Sequence, residues 1–272
     1  MSDQRTEFRT RYGPWALVAG ASEGIGAAFA RQLAARGLNI VAIARRPELL
    51  AAIQTEIVQR HEVEVRTIST DLAEQDAAVQ IRDATRDLEI GLLVYNAALS
   101  PIGPFLANDL APALRALDLN CRTPLALCHA FGRDMVARGR GGLLLMSSMS
   151  GLQGTPLIAT YAATKAFDLV LGEGLWEELR HAGVDVLSFC AGATRTPNYE
   201  ASTPRTLSRL APAVMEPDAV AAEALARLGR CPSAIAGRGN RIGSWFMHRL
   251  MSRRRAVETI ARATRTLYGD PG

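Results

Sequence analysis

The chain has 272 residues, 48% of them hydrophobic and 6% aromatic, a length that suits one large α/β domain and a composition that excludes a disordered or fibrous chain. The formal net charge is +4, but the surplus gathers near the C-terminus at Arg249, Arg253, Arg254, Arg255, Arg262 and Arg265 with no nucleic-acid motif beside it, so nucleic acid is not expected as a partner. No apolar run is long enough to span a bilayer, the first residues lack the apolar core of a secretory signal, and the four cysteines have no paired metal spacing; the expectation is a cytoplasmic chain with reduced thiols and no metal.

Residues 1–12 are polar and read as a tail. Short apolar runs then alternate with segments of helical period. Strands are predicted at 15–19, 39–44, 63–69, 91–95, 142–147 and 185–190, with a seventh at 233–236. Several are apolar throughout, as strands covered on both faces must be. Helices are predicted at 24–36, 47–60, 74–87, 110–138, 161–181 and 218–228. Pro47 suits a first helical turn, and Gly37 and Gly183 suit C-caps. This alternation implies a single doubly wound α/β fold of about seven parallel strands with helices on both faces, spanning 13–236. Residues 193–217, rich in Thr, Pro and Ser and without periodicity, read as a lid. Residues 237–272 read as a basic amphipathic helical extension.

The first strand runs into Ala19-Gly20-Ala21-Ser22-Glu23-Gly24-Ile25-Gly26 and then a helix. Gly20 allows a sharp turn, Gly24 a close backbone approach to a ligand, and Gly26 tight helix–sheet packing. The helix N-terminus then offers free N–H groups and a positive dipole end to a pyrophosphate. Its place straight after a strand makes this a dinucleotide cradle. Glu23 carries a charge unfavourable beside phosphate and is expected to point to solvent. The second strand ends Ala44-Arg45-Arg46, with no carboxylate to accept a ribose 2′-hydroxyl. Two guanidiniums there suit a 2′-phosphate, so NADP(H) is expected in preference to NAD(H), with Arg45 the first choice and Arg46 the second.

Of the 31 basic side chains, 30 are arginine and one is Lys165, in Tyr161-Ala-Ala-Thr-Lys165. One helical turn separates Tyr161 from Lys165, on the same face. An ammonium is a compact point charge that a planar guanidinium does not reproduce. With this pair the chain resembles the short-chain dehydrogenase/reductase family from about Trp15 to Ala236, with the motifs in the family's order. AGASEGIG is similar to TGxxxGxG, with Ala19 for Thr. Asp71-Leu72 follows the third strand. Tyr95-Asn96-Ala97-Ala98 resembles NNAG, with Tyr and Ala substituted at its ends. Asn120 lies in LDLNC, Ser148 stands thirteen residues before Tyr161, and Ala191-Gly192-Ala193-Thr194-Arg195-Thr196 resembles PGxxxT.

The resemblance implies an oxidoreductase that interconverts a ketone and a secondary alcohol, with reduction the expected direction. Tyr161 would be its general acid and base. Lys165 would favour the phenolate and hold the nicotinamide ribose, Ser148 would polarise the substrate oxygen, and Asn120 would fix a water beside Lys165. Cofactor contacts are implied for Gly20, Ser22, Glu23, Gly24, Ile25, Gly26, Asp71, Leu72, Asn96, Ala97, Ala98, Gly192, Thr194 and Thr196, with Asp71 against the adenine. Ser150 and Gln153 join Ser148 and Tyr161 as expected substrate contacts, on an acyl, steroid-like or xenobiotic ketone. The departures at Tyr95, Ala98 and Ala191 touch the cofactor's seat without removing a reacting group. The resemblance also implies a homodimer or homotetramer joined through helices 110–138 and 161–181. The apolar residues of the extension suit its own protein or a neighbouring subunit better than a membrane surface. The rival function is a non-catalytic NADP-binding sensor or scaffold.

Overall fold

The computed structural model describes residues 2–202 and 214–269. Its strands are β1 (Trp15–Ala19), β2 (Asn39–Ala44), β3 (Val65–Ser69), β4 (Ile90–Tyr95), β5 (Gly141–Ser148), β6 (Val184–Ala191) and β7 (Ser233–Ile235). The helices are α1 (Ser2–Tyr12), α2 (Gly24–Ala35), α3 (Pro47–Arg60), α4 (Ala77–Ala84), α5 (Leu110–Leu117), α6 (Thr123–Arg138), α7 (Ala159–Leu179), α8 (Pro197–Ala201), α9 (Pro217–Arg227), α10 (Arg238–Leu250) and α11 (Arg253–Tyr268).

The strands form one sheet in the order β3-β2-β1-β4-β5-β6-β7, parallel at every pairing. Successive side chains of a strand point to opposite faces. In β1, Ala16 and Val18 therefore enter one core, with Phe29 and Leu33 of α2, Leu50 of α3 and Val220 of α9. Leu17 and Ala19 enter the other, with Ile81 of α4 and Leu127 and Phe131 of α6. Each of the large side chains stabilises the fold by roughly 2 kcal/mol when buried. The chain leaves β1 toward β2 and β3 on one side and returns to β4 on the other. That reversal opens a crevice at the carboxyl ends of β1 and β4, where ligands of such sheets bind.

Three segments differ from the sequence expectation. Residues 2–12 form α1 rather than a tail. The helix docks through Tyr12, whose hydroxyl donates to Asp185 Oδ2 at 2.6 Å, and through Arg11, which bonds the same carboxylate. A helix with so few apolar residues has no stripe for periodicity to detect. Within the predicted 110–138 helix, a π-helical turn at Asp118–Arg122 separates α5 from α6. The extension is two helices. They break at Met251-Ser252, where Ser252 Oγ caps α11 by accepting from the Arg255 amide at 3.4 Å. Of the predicted lid, α8 is short and capped by Thr196, whose hydroxyl accepts from the Tyr199 amide at 3.1 Å; residues 203–213 lie outside the described residues.

Candidate active site

The crevice begins at Gly20, which has φ +81°, a conformation that side chains resist. It lets the chain turn from β1 into α2. Gly26 lies against that turn, and a Cβ there would stand 1.9 Å from the Gly20 carbonyl oxygen. Asn96 and Ala97 close the other side, both amides donating to the Ala19 carbonyl at 3.0 Å. The result is a cleft of about 280 Å³. The expected residues Gly20, Ser22 to Ile25, Arg45, Arg46, Leu72, Asn96 to Ala98 and Thr196 all line it.

The two arginines are not equivalent. Arg46 Nη2 is paired with Glu23 Oε1 at 2.6 Å. This corrects the expectation that Glu23 points away into solvent, because the second arginine neutralises it in place. Arg45 is exposed and has no ion pair among the described residues. Asp71 also departs from expectation. Its carboxylate accepts from Arg115 and from the Ala73 amide, and it does not line the cleft. The Tyr95 side chain turns into the core, 1% exposed, and its hydroxyl donates to the Leu119 carbonyl at 2.5 Å. The ring that departs from the NNAG motif thus braces the π-helical turn and leaves the cofactor cleft clear.

A second cavity of about 600 Å³ adjoins the first; Ile25, Asn96, Ala98, Thr196 and Asn198 line both. Ser148, at the end of β5, and Tyr161 and Lys165, one turn apart on α7, open onto it. The Ser148 hydroxyl accepts from the Ser150 amide at 3.1 Å, which starts a 3₁₀ turn and aims residues 148–152 at the cavity. Ser150, Gln153, Gly192 and Thr194 are lining residues as well. Lys165 Nζ stands 5.9 Å from the centroid of the Tyr161 ring.

Asn120 does not line either cavity. It is 0% exposed, and its amide donates to the Leu99 carbonyl and to Thr164 Oγ1, each at 2.9 Å, while Oδ1 accepts from the Leu99 amide at 2.9 Å. Every polar atom of the side chain is occupied in tying the loop after β4 to α7. π-helical turns recur at functional sites, and this one places Asn120 against the helix that carries Tyr161.

Sequence reasoning missed most of the cavity's far wall. Met247 and His248 of α10, and Ile260, Thr264, Leu267 and Tyr268 of α11, line it. Burial, then the neighbouring Tyr161 and Tyr199, push Tyr268 above the ordinary tyrosine value. Ile260 and Leu267 were legible as one apolar stripe, but the face the stripe meets was not. The hairpin is latched to the rest of the chain by Arg253, which donates to the Leu152 carbonyl at 2.8 Å. No helix among the described residues is long and apolar enough to cross a membrane.

A doubly wound sheet, a glycine cradle at its switch point, and a serine, tyrosine and lysine on the adjoining cavity define a nucleotide-dependent oxidoreductase. The sequence profile of the short chain dehydrogenase family matches residues 14–206, and the chain belongs to that family. It is 36% identical over 234 residues to a 7beta-hydroxysteroid dehydrogenase of Clostridium sardiniense, covering 86% of this chain and 89% of that one. It is 36% identical over 180 residues to the very-long-chain 3-oxoacyl-CoA reductase of Homo sapiens, covering 65% of this chain and 58% of that one. A solved 7beta-hydroxysteroid dehydrogenase superposes with a TM-score of 0.87 at 30% identity, over 93% of this chain and 98% of the other. A short-chain dehydrogenase from Sphingobium yanoikuyae in complex with NADPH gives 0.77 at 29% identity, over 87% and 94%. The protein is thus an oxidoreductase that interconverts ketone and alcohol groups, and the non-catalytic reading finds no support.

Proposed function

We propose that the protein is an NADP(H)-dependent reductase of a bulky, apolar ketone, with a hydroxysteroid-type substrate ahead of an acyl one. The observation that carries the reading is the 600 Å³ cavity onto which Ser148, Tyr161 and Lys165 open and which shares Ile25, Asn96, Ala98, Thr196 and Asn198 with the cleft of the glycine cradle. Support for a steroid-type substrate comes from the hydroxysteroid relatives, which match over most of their length, and from the apolar wall of Met247, Ile260 and Leu267.

The cleft fits a dinucleotide. A Cβ at Gly20 would crowd Ala97 at 2.9 Å, so glycine there lets the turn after β1 pack closely on the end of β4, and Arg45 offers an uncommitted guanidinium to a 2′-phosphate. When bound, the nicotinamide supplies the hydride. Tyr161 gives its proton to the alkoxide oxygen that reduction produces, and takes it back in oxidation. Ser148 donates its hydroxyl hydrogen to the same oxygen, stabilising the charge that develops there. Lys165 sets a positive charge beside Tyr161. The α10–α11 hairpin excludes water and holds the apolar body of the substrate. Exposed Leu114, Leu117, Leu125 and Val170 on α5, α6 and α7 support assembly as a homodimer or homotetramer through these helices.

The test is NADPH oxidation with a panel of keto-steroids, 3-oxoacyl thioesters and small ketones, using wild type and Tyr161→Phe. Turnover of a keto-steroid is expected, with a loss of about 10²–10⁴-fold in the variant and undiminished NADPH binding. A Tyr161→Phe protein as active as wild type would overturn the assignment.

A further inference from the structure

Lys165 is 2% exposed, and Asp168, one turn further along α7, is 1% exposed. Nζ donates to Asp168 Oδ2 at 2.9 Å and to the Met146 carbonyl of β5 at 2.8 Å. Asp168 Oδ1 has no hydrogen-bond partner among the described residues, so the carboxylate is given over to the ammonium. The backbone secures it further, since Ser188 Oγ of β6 donates to the Asp168 carbonyl at 2.7 Å.

Packing alone does not call for an acid here. Besides Lys165 and Asp168, the buried face of α7 carries Ala162, Thr164 and Gly172; the Thr164 hydroxyl is taken up by Asn120 and the Tyr161 carbonyl, so no other α7 side chain needs the carboxylate, and an apolar residue would avoid the desolvation of a charge. Burial by itself strips a lysine of its proton unless a counter-charge stands close. The other groups facing the pair do not supply one. Burial raises Cys121 of the π-helical turn to about 11, Cys128 of α6 to about 12 and Cys190 of β6 to about 11. It raises Tyr95 of β4 well above the ordinary tyrosine value. All four are neutral near neutral pH. For Lys165, burial pulls downward, and Asp168, with Tyr161, outweighs it to leave the ammonium above the usual lysine value.

We propose that Asp168 is a positioning residue for the reaction: its carboxylate keeps the buried Lys165 charged and fixed beside Tyr161, leaving one ammonium N–H for the cavity. The proposal rests on the reading of Tyr161 and Lys165 as the reacting pair. It is independent of substrate identity, and a local rule broken on a packed helix face is where function is expected.

Because the chain has a single lysine, protein grown on [¹³Cε]lysine gives one lysine resonance. In wild type that resonance is expected to keep its charged position up to the onset of alkaline unfolding. In Asp168→Asn, of the same shape without the charge, it is expected to titrate at least about one pH unit lower. The alkaline limb of kcat/KM should move the same way, and Asp168→Glu should restore part of the shift. An Asn variant whose lysine signal follows wild type would overturn the proposal. Should the Asn variant not fold, wild type decides alone: a lysine titrating in the folded protein below its ordinary value of about 10.4 also overturns it. Failure of the underlying reading looks different: the Tyr161→Phe enzyme would stay active while the lysine resonance of the Tyr161 protein still moved between wild type and Asp168→Asn.

Discussion

Arg45 and Arg46 are adjacent in sequence and equal in charge, yet the fold gives them different tasks. Arg46 is held by Glu23 at 2.6 Å, which leaves Arg45 as the stronger candidate for a 2′-phosphate. A charge-assisted hydrogen bond contributes about 1.5–3 kcal/mol, so Arg45→Ala is expected to weaken NADPH binding by roughly 10–100-fold. NADH binding should barely move. Arg46→Ala should cost NADPH less than Arg45→Ala does. Fluorescence titration of both nucleotides against the three proteins measures this, and equal losses in the two variants would contradict the division of roles. The charge pattern was legible at this scale. The Glu23 pairing was not, because it joins a turn after β1 to the end of β2, segments brought together by sheet pairing.

The elements meet the site at two places where backbone and packing set the tolerance. At the N-terminus of α2, a methyl on Gly26 would collide with the Gly20 carbonyl at 1.9 Å. Neither atom can move without shifting α2 or the cradle. Gly26→Ala is expected to cost at least about 2 kcal/mol, read as a lower melting temperature, and to abolish NADPH binding. At the other end of the chain, the hairpin of α10 and α11 walls the cavity, and none of its described residues lines the cofactor cleft. Ending the chain after Gly237 is expected to raise the KM for a keto-steroid by at least about tenfold, equivalent to about 1.4 kcal/mol. NADPH affinity should be retained. A truncated enzyme with unchanged KM would show that the hairpin does not hold substrate.

For the molecule as a whole, burial places several weak acids where their charged forms are disfavoured. Cys128 rises to about 12, and Cys121 and Cys190 to about 11, from 9.0; Tyr12 rises as well, through burial and its bond to Asp185. Each folded value lies above the unfolded one. The unfolded chain therefore releases these protons first, and the stability they contribute is complete below about pH 8.5. It falls as pH climbs from there toward 12. Melting temperature is expected to hold from neutrality to about pH 8.5 and to drop steeply beyond it. Cys128→Ala should soften the decline, and thermal melts across that range would test both. A flat profile up to pH 11 would contradict the burial of these thiols.

The sequence alone determined the elements whose cause is local. Apolar runs covered on both faces marked β1, β2, β4, β5 and β6, the glycine spacing marked the cradle, and Tyr161 with Lys165 marked one face of one helix. These are short-range facts of backbone and periodicity, readable along the chain. Tertiary structure decided what depended on distant segments meeting. It turned Tyr95 into the core, occupied Asn120 with Leu99 and Thr164, committed Asp71 to Arg115, folded the C-terminal stripe over the cavity, and set Asp168 against Lys165 inside the protein. A side chain's charge and size are written in the sequence. Whether it meets water, a partner or a ligand is decided by which elements pack around it.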